Sequence, residues 1–198
     1  LLITAGGTAE KIDQVRSIIN HSTGQLGSLI AEAFLAHGYQ VDYLTTPTAL
    51  RPVNQDGLAL HFIQDTKELD ETLTWLLQQK PYDAVIHSMA VSDFTPANSF
   101  TLEAFTEKIN QQLTKHSAPF TKKDVASLIE QTTAQETATK ISSDTDYLFL
   151  VLKKTPKVIK KIKEIQPNTI LVSFKLLVNV TQETLFEVAQ ESMAKNHG

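Results

Sequence analysis

The 198 residues include 18 lysines and arginines against 22 aspartates and glutamates, a formal net charge of −4, and 41% of them are hydrophobic. That balance suits a soluble globular chain and gives no electrostatic reason to expect nucleic acid as a partner. Cysteine is absent, which excludes disulfides, thiolate nucleophiles and zinc–sulfur sites, and no apolar run approaches the ~20 residues that span a bilayer.

Leu1–Ala5 reads as a short buried strand closed by Gly6-Gly7. The spacing of Leu26, Leu29, Ile30, Ala33 and Phe34 predicts a helix from about Gln25 to His37, with Gly38 placed to end it. Val41–Leu44 and Leu58–Ile63 are the next strands, with Pro47 and Pro52 in the loop between them. Thr66–Gln79 is an amphipathic helix with Leu69, Leu73, Leu76 and Leu77 on one stripe, and Ala84–Ser88 is a buried strand. From Thr95 to Thr139 the chain turns polar and rich in Thr and Gln. Leu102, Phe105, Ile109 and Leu113 fit one short helix there, and Val125, Leu128 and Ile129 another. With few large apolar residues of its own, this stretch reads as an insertion or flap within a single domain covering 1–198. The pattern then resumes as strand Tyr147–Leu152, helix Lys157–Ile165, strand Ile170–Phe174 and helix Thr181–Lys195.

Strands alternating with helices imply an α/β, doubly wound, mostly parallel sheet of Rossmann-like kind with helices on both faces. Ligands bind beyond the carboxyl ends of such strands, so attention goes to the residues after Ala5, Leu44, Ser88, Leu152 and Phe174. The chain opens on Leu1 already inside a strand and closes on Asn196-His197-Gly198, so both ends are expected to be clipped.

Gly6-Gly7-Thr8 follows the first strand, where glycine lets backbone N–H groups approach a phosphate and Thr8 offers a hydroxyl. A plain tight turn explains it as well, since the segment is neither G-x-G-x-x-G nor a Walker loop. Ser22, Thr23 and Gly24, after Asn20-His21, stand where a helix N-terminus would bind an anion, with an ordinary N-cap as the alternative. Asp93, after Ala90-Val91-Ser92, is equally a turn residue and a candidate base or ribose contact. Lys153, Lys154, Lys157, Lys160, Lys161 and Lys163 form the densest basic run, which by itself favours a solvated face over a polyphosphate site. The six histidines show no H-E-x-x-H pattern, so no metal site built by the protein is expected. No G-x-S-x-G occurs, so an enzyme here would act by positioning and charge neutralisation.

Ile3-Thr4-Ala5-Gly6-Gly7-Thr8, with Glu10, Ile12-Asp13, Val15-Arg16 and Ile19-Asn20-His21-Ser22-Thr23-Gly24, resembles the opening signature of phosphopantothenoylcysteine synthetases. Ala90-Val91-Ser92-Asp93-Phe94, Lys140-Ile141, Lys154-Thr155-Pro156 and Val172-Ser173-Phe174-Lys175 continue the likeness along nearly the whole chain outside the insertion. The resemblance implies a ligase that joins 4′-phosphopantothenate to L-cysteine through an acyl-nucleotide, with Mg2+, releasing pyrophosphate in coenzyme A biosynthesis. It implies catalytic roles for Asn20 and Lys140, and nucleotide contacts by Ser88, Met89, Ala90, Asp93, Pro156, Lys157, Val158, Ile159, Phe174 and Lys195, with Gly6, Gly7 and Thr8 added from the turn reading. Arg16, Asn20, Ser22, Thr23 and Gly24 would contact substrate, in a cytoplasmic homodimer without FMN, nucleic acid or membrane partners. The expected nucleotide is CTP, read by backbone groups at Ser88–Ala90 with Asp93, with ATP as the alternative because Phe174-Lys175-Leu176 resembles ATP-using members.

Lys140-Ile141-Ser142-Ser143 departs from the family's Lys-x-Lys-Lys, Phe174-Lys175-Leu176-Leu177 departs from its Phe-Ala-Ala-Glu, and its later Ala-Asn-Asp motif is absent. The competing readings are an NAD(P)-dependent reductase, against which the missing G-x-G-x-x-G counts, and a non-catalytic nucleotide-binding protein.

Overall fold

A computed structural model describes residues 1–53, 56–114, 119–132, 144–177 and 179–196. The chain divides into two compact units: Leu1–Ala9, Ile19–Asp93 and Thr155–Gly198 form the first, Glu10–Ile18 and Phe94–Lys154 the second.

The first unit is built on five strands, β1 (Leu2–Ala5), β4 (Val41–Thr45), β5 (Leu58–Phe62), β6 (Ala84–His87) and β9 (Ile170–Ser173). They lie in the order β5-β4-β1-β6-β9, and every neighbouring pair is parallel. The order reverses between β1 and β6, which is where an open parallel sheet leaves a crevice beyond its strand ends. Alternation of side chains divides the core between the two faces. Leu2, Leu44, Val85 and Leu171 pack with α2 (Thr66–Gln79) and α5 (Val158–Ile165), represented by Leu69, Leu73, Leu76, Leu77, Val158 and Ile162. Ile3, Ala5, Val41, Tyr43 and Ile86 pack with Ala31 and Leu35 of α1 (Gln25–Ala36). Helices therefore cover both faces, and the doubly wound expectation holds. The first unit closes with α6 (Gln182–Asn196).

Helix α2 buries the stripe its sequence predicts, and Asp65 caps it by accepting from Glu68 N at 2.8 Å. Helix α1 does not. Leu26 and Leu29 are about half exposed, while Gly27, Ser28, Ala31 and Leu35 face the sheet. The reason is close approach: a Cβ on Gly27 would stand 2.5 Å from Ala5 Cβ and 2.7 Å from Ser88 Oγ. Small residues let the helix sit tightly on β1, with Ile30 and Phe34 packed at the edge of the core, while Leu26 and Leu29 turn outward.

In the second unit, β7 (Phe94–Thr101) pairs antiparallel with β8 (Leu148–Lys154). Two sequence expectations change here. The break after Asp93 is a strand, and Tyr147–Leu152 belongs to this ribbon rather than to the parallel sheet. Pro96 lacks an N–H, and the register shifts between Pro96 and Asn98 to accommodate it. The helices α3 (Leu102–Leu113) and α4 (Lys122–Gln131) form where their apolar spacing predicts them. Phe100, Phe105 and Phe149 stack with centroids 5.1–5.3 Å apart, and Asn98 Nδ2 donates to Thr132 O at 2.6 Å beyond α4.

The short strands β2 (Ala9–Lys11) and β3 (Ser17–Ile19), which the sequence pattern does not reveal, form a hairpin. Asp13 fixes its turn by accepting from the N–H groups of Val15 and Arg16 at 2.8 and 2.7 Å. Among the described residues no helix is long and apolar enough to cross a membrane.

Candidate active site

Beyond the ends of β1 and β6 the two chains stay paired. Ala90 N donates to Gly6 O at 2.8 Å, Thr8 N donates to Ala90 O at 3.1 Å, and Gly7 and Ala90 form a parallel bridge. Asn20 closes over this junction: its N–H donates to Thr8 O at 3.2 Å and its side-chain amide to Ala90 O at 3.4 Å. A side chain on Gly7 would collide with the Asn20 carbonyl oxygen, so glycine is required there by close approach. Thr8 is fully buried, and its hydroxyl accepts from Ser92 N at 3.0 Å, which ties it into the fold.

Ser22 and Thr23 precede α1, yet neither is its N-cap. Gly24 holds that position at φ 78° and has no side chain to cap with, while Thr23 Oγ1 accepts from Gln25 N, the first N–H of the helix, at 3.3 Å. Thr23 thus serves a free N–H at the helix start without being its N-cap, and the positive φ explains the glycine. Leu50 N donates to Thr23 O at 2.8 Å and fixes the loop.

A cavity of about 450 Å³ opens at the carboxyl ends of β6 and β9. Of the predicted nucleotide contacts, Met89, Asp93, Pro156, Lys157, Val158, Ile159, Phe174 and Lys195 line it. Its charge is set by Lys157, Lys160, Lys175 and Lys195 against Asp93 and Glu191. Lys157 Nζ bonds Asp93 Oδ1 at 2.5 Å, Asp93 O accepts from Thr155 N at 3.1 Å, and Thr155 Oγ1 donates to Ser92 O at 2.5 Å. Helix α5 begins at this wall without a side-chain cap, so its first N–H groups and four ammonium groups favour an anion. The basic run is thus divided: Lys157 and Lys160 line the cavity, Lys161 pairs with Asp70 at 2.6 Å, and Lys163 donates to Thr169 O at 2.8 Å.

Gly6, Gly7, Thr8, Asn20 and Ala90 gather at the junction instead, and Ser88 Oγ donates to Thr4 O at 2.7 Å. The segment Ser88–Asp93 serves both places. Ser88 N and Ala90 N are committed to Thr4 O and Gly6 O, whereas Met89 N–H has no partner among the described residues. Arg16 lies in the hairpin loop and grips Asp13 with two bonds of 3.0 and 2.7 Å. Lys140 falls outside the described residues.

Sequence reasoning missed His87, Ser173, Lys175 and Glu191 on the cavity wall, and read Lys160 within a basic run that favours a solvated face. His87 carried a signal, being a histidine at the carboxyl end of the apolar strand Ala84-Val85-Ile86. Burial pushes its imidazole pKa down to about 4.

A family model described as the DNA/pantothenate metabolism flavoprotein C-terminal domain matches residues 1–122. Among solved structures, the DNA/pantothenate metabolism flavoprotein from Streptococcus pneumoniae is 40% identical with a TM-score of 0.81, covering 100% of this chain and 78% of that one. The coenzyme A biosynthesis bifunctional protein CoaBC of Thermococcus kodakarensis is 29% identical over 98% of this chain, which spans only 38% of that relative's length. A Cab2 variant in complex with phosphopantothenate-cysteine has a TM-score of 0.63 at 20% identity, over 99% of this chain and 69% of that one, a likeness of fold.

Proposed function

The chain belongs to the DNA/pantothenate metabolism flavoprotein C-terminal domain family, and from that premise we propose that it is a phosphopantothenate–cysteine ligase acting in coenzyme A biosynthesis. In this reading a carboxylate oxygen of 4′-phosphopantothenate attacks the α-phosphorus of a nucleoside triphosphate and pyrophosphate leaves. The amine of cysteine then attacks the acyl carbon, the nucleoside monophosphate departs, and the amine's proton passes to solvent.

The observation that carries the proposal is the shared segment Ser88–Asp93. On it the Asn20 amide is held at Ala90 O, and along it lies a cavity bearing four lysines and the N-terminus of α5. An activated acyl group at Asn20 and a polyphosphate among the lysines would be neighbours, the arrangement that in-line transfer to an α-phosphorus needs. Lys140 would add a positive charge to the departing pyrophosphate, as the family resemblance implies. The cavity's two carboxylates, Asp93 and Glu191, suit a magnesium ion carried in on phosphate oxygens, since that ion commonly takes one or two carboxylates plus substrate. Magnesium would neutralise phosphate charge there.

For the base we favour CTP. The Met89 N–H, without a partner among the described residues, offers a backbone donor at the strand end, and a pyrimidine is read by matched hydrogen bonds of this kind. A dimer is part of the same proposal, as the family resemblance implies, and sedimentation of a 22.0 kDa species at micromolar concentration would count against it.

The test is pyrophosphate release. It should require phosphopantothenate and a nucleoside triphosphate together, and cysteine should then release the nucleoside monophosphate. Release without phosphopantothenate, or none with CTP or ATP, overturns the ligase. A higher kcat/KM with ATP than with CTP overturns only the choice of base.

A further inference from the structure

Thr4 on β1 and His87 on β6 stand opposite each other, with Thr4 Oγ1 and His87 Nδ1 2.7 Å apart. Thr4 is fully buried and His87 is 8% exposed. A buried hydroxyl proton needs an acceptor, and Nδ1 is the one that Thr4 Oγ1 reaches among the described residues. The hydroxyl therefore donates, Nδ1 carries no proton, and the neutral ring holds its proton on Nε2. Burial pushes the imidazole down to about pKa 4, so the ring is neutral at ordinary pH. No group among the described residues bonds Nε2, and His87 lines the cavity.

We propose that His87, set in one tautomer by Thr4, donates a hydrogen bond from Nε2 to an uncharged acceptor on the nucleoside portion of the nucleoside triphosphate. This rests on the ligase reading and adds a binding residue to its nucleotide site. The nucleoside is the fitting partner because the anionic portion has better places to go. Lys157, Lys160, Lys175, Lys195 and the first N–H groups of α5 take the phosphates, with Asp93 and Glu191 the carboxylates beside them. A phosphate oxygen against His87 would draw a second proton onto the ring, and burial opposes that. A fixed neutral donor on a desolvated wall selects a nucleoside presenting an acceptor at that point. Thr4 is a positioning residue, acting through the ring.

The double variant Thr4→Val with His87→Phe removes both partners of the buried bond, which preserves the fold better than removing one. Calorimetric titrations of CTP, ATP and inorganic pyrophosphate compare it with the wild type in the presence of Mg2+. The preferred nucleotide should bind about 10-fold more weakly to the variant, while pyrophosphate binding stays unchanged. Equal losses for nucleotide and pyrophosphate would make this a phosphate contact and overturn the proposal, as would an unchanged nucleotide affinity. Nitrogen-15 spectra of the free wild type should show a protonated Nε2 and a bare Nδ1, and the Nε2 signal should move when nucleotide is added. The opposite tautomer overturns the proposal at once. A wild type that binds neither nucleotide removes the ligase reading and this proposal with it, whereas binding that ignores the double substitution removes this proposal alone.

Discussion

At the Asn20 junction the main chain does most of the holding: Gly6, Thr8, Asn20 and Ala90 meet through peptide N–H and C=O groups, with the Asn20 amide and the Thr8 hydroxyl adding side-chain bonds. In the cavity, side chains set the character, with four lysines and two carboxylates carried by segments far apart in the chain. Both are served by Ser88–Asp93. A backbone-built site tolerates no added atom, because its geometry is the fold itself. A site built from long charged side chains tolerates substitution and loses affinity by degrees. The junction should therefore respond to mutation in rate and stability, and the cavity in binding.

The sharpest break should come from Gly7→Ala. The new methyl group meets the Asn20 carbonyl oxygen, and one of the two chains must move. Overpacking of this kind costs ~1–3 kcal/mol of stability, and displacement of Asn20 by about 1 Å should lower the ligation rate about 100-fold or more. Thermal melts and single-turnover assays check both. A variant with wild-type Tm and rate would show that the junction is softer than its packing implies. Asn20→Ala comes next and separates the two effects. The fold should survive with a small change in Tm, while product formation drops about 100-fold, as expected for loss of one contact to a reacting group. Wild-type turnover in folded Asn20→Ala protein would remove Asn20 from the chemistry.

His87 belongs to the cavity but is buried, as Thr8 is at the junction, so it tests the contrast from the other side. In the unfolded chain its imidazole takes a proton below about pH 6.5, whereas the folded chain refuses one until about pH 4. Between those values the unfolded state binds more protons, so stability is fully present above pH 6.5 and declines as pH falls. The loss should reach ~2 kcal/mol by pH 5. Denaturant titrations of wild type and of the Thr4→Val, His87→Phe protein measure it, and equal slopes in the two proteins would mean that other groups govern this range.

The junction was far more legible than the cavity, for a physical reason. Asn20, Gly7 and Ser22–Gly24 lie in one continuous stretch, where glycines forced by close approach or by positive φ leave a mark on the sequence. The parallel strands were legible too, because burial on both faces demands nearly unbroken apolar runs. The cavity walls come from residues 87–93, 155–160, 173–175 and 188–195, and no local pattern announces that they converge. In helix α1 apolar size marks the core side at Ile30 and Phe34 but misleads at Leu26 and Leu29. Tight packing on β1 instead selected Gly27 and Ala31 and left Leu26 and Leu29 outside. Strand β7 was missed because its polar residues, half buried in a two-stranded ribbon, lack the apolar alternation of a core strand. Lys140, read from resemblance alone, gains no geometric support from the described residues.

The smallest effect on the folded protein should come from Lys157→Met, and for that reason it sharpens the contrast most cleanly. Lys157 and Asp93 are paired at 2.5 Å, yet their side chains are 65% and 68% exposed. Water screens such a pair, and ordering two mobile side chains offsets much of the attraction, so its loss should change stability by less than about 0.5 kcal/mol. Methionine keeps most of the apolar stem, which limits any packing loss. The same lysine stands at the start of α5, where a bound polyphosphate would displace water and strengthen its charge interaction. The KM for nucleotide should therefore rise about 10-fold with little change in kcat, and the wild-type KM should itself rise with salt while the variant responds less. A large fall in Tm would make Lys157 a structural residue. An unchanged KM with an unchanged salt response would place the polyphosphate elsewhere in the cavity, among Lys160, Lys175 and Lys195.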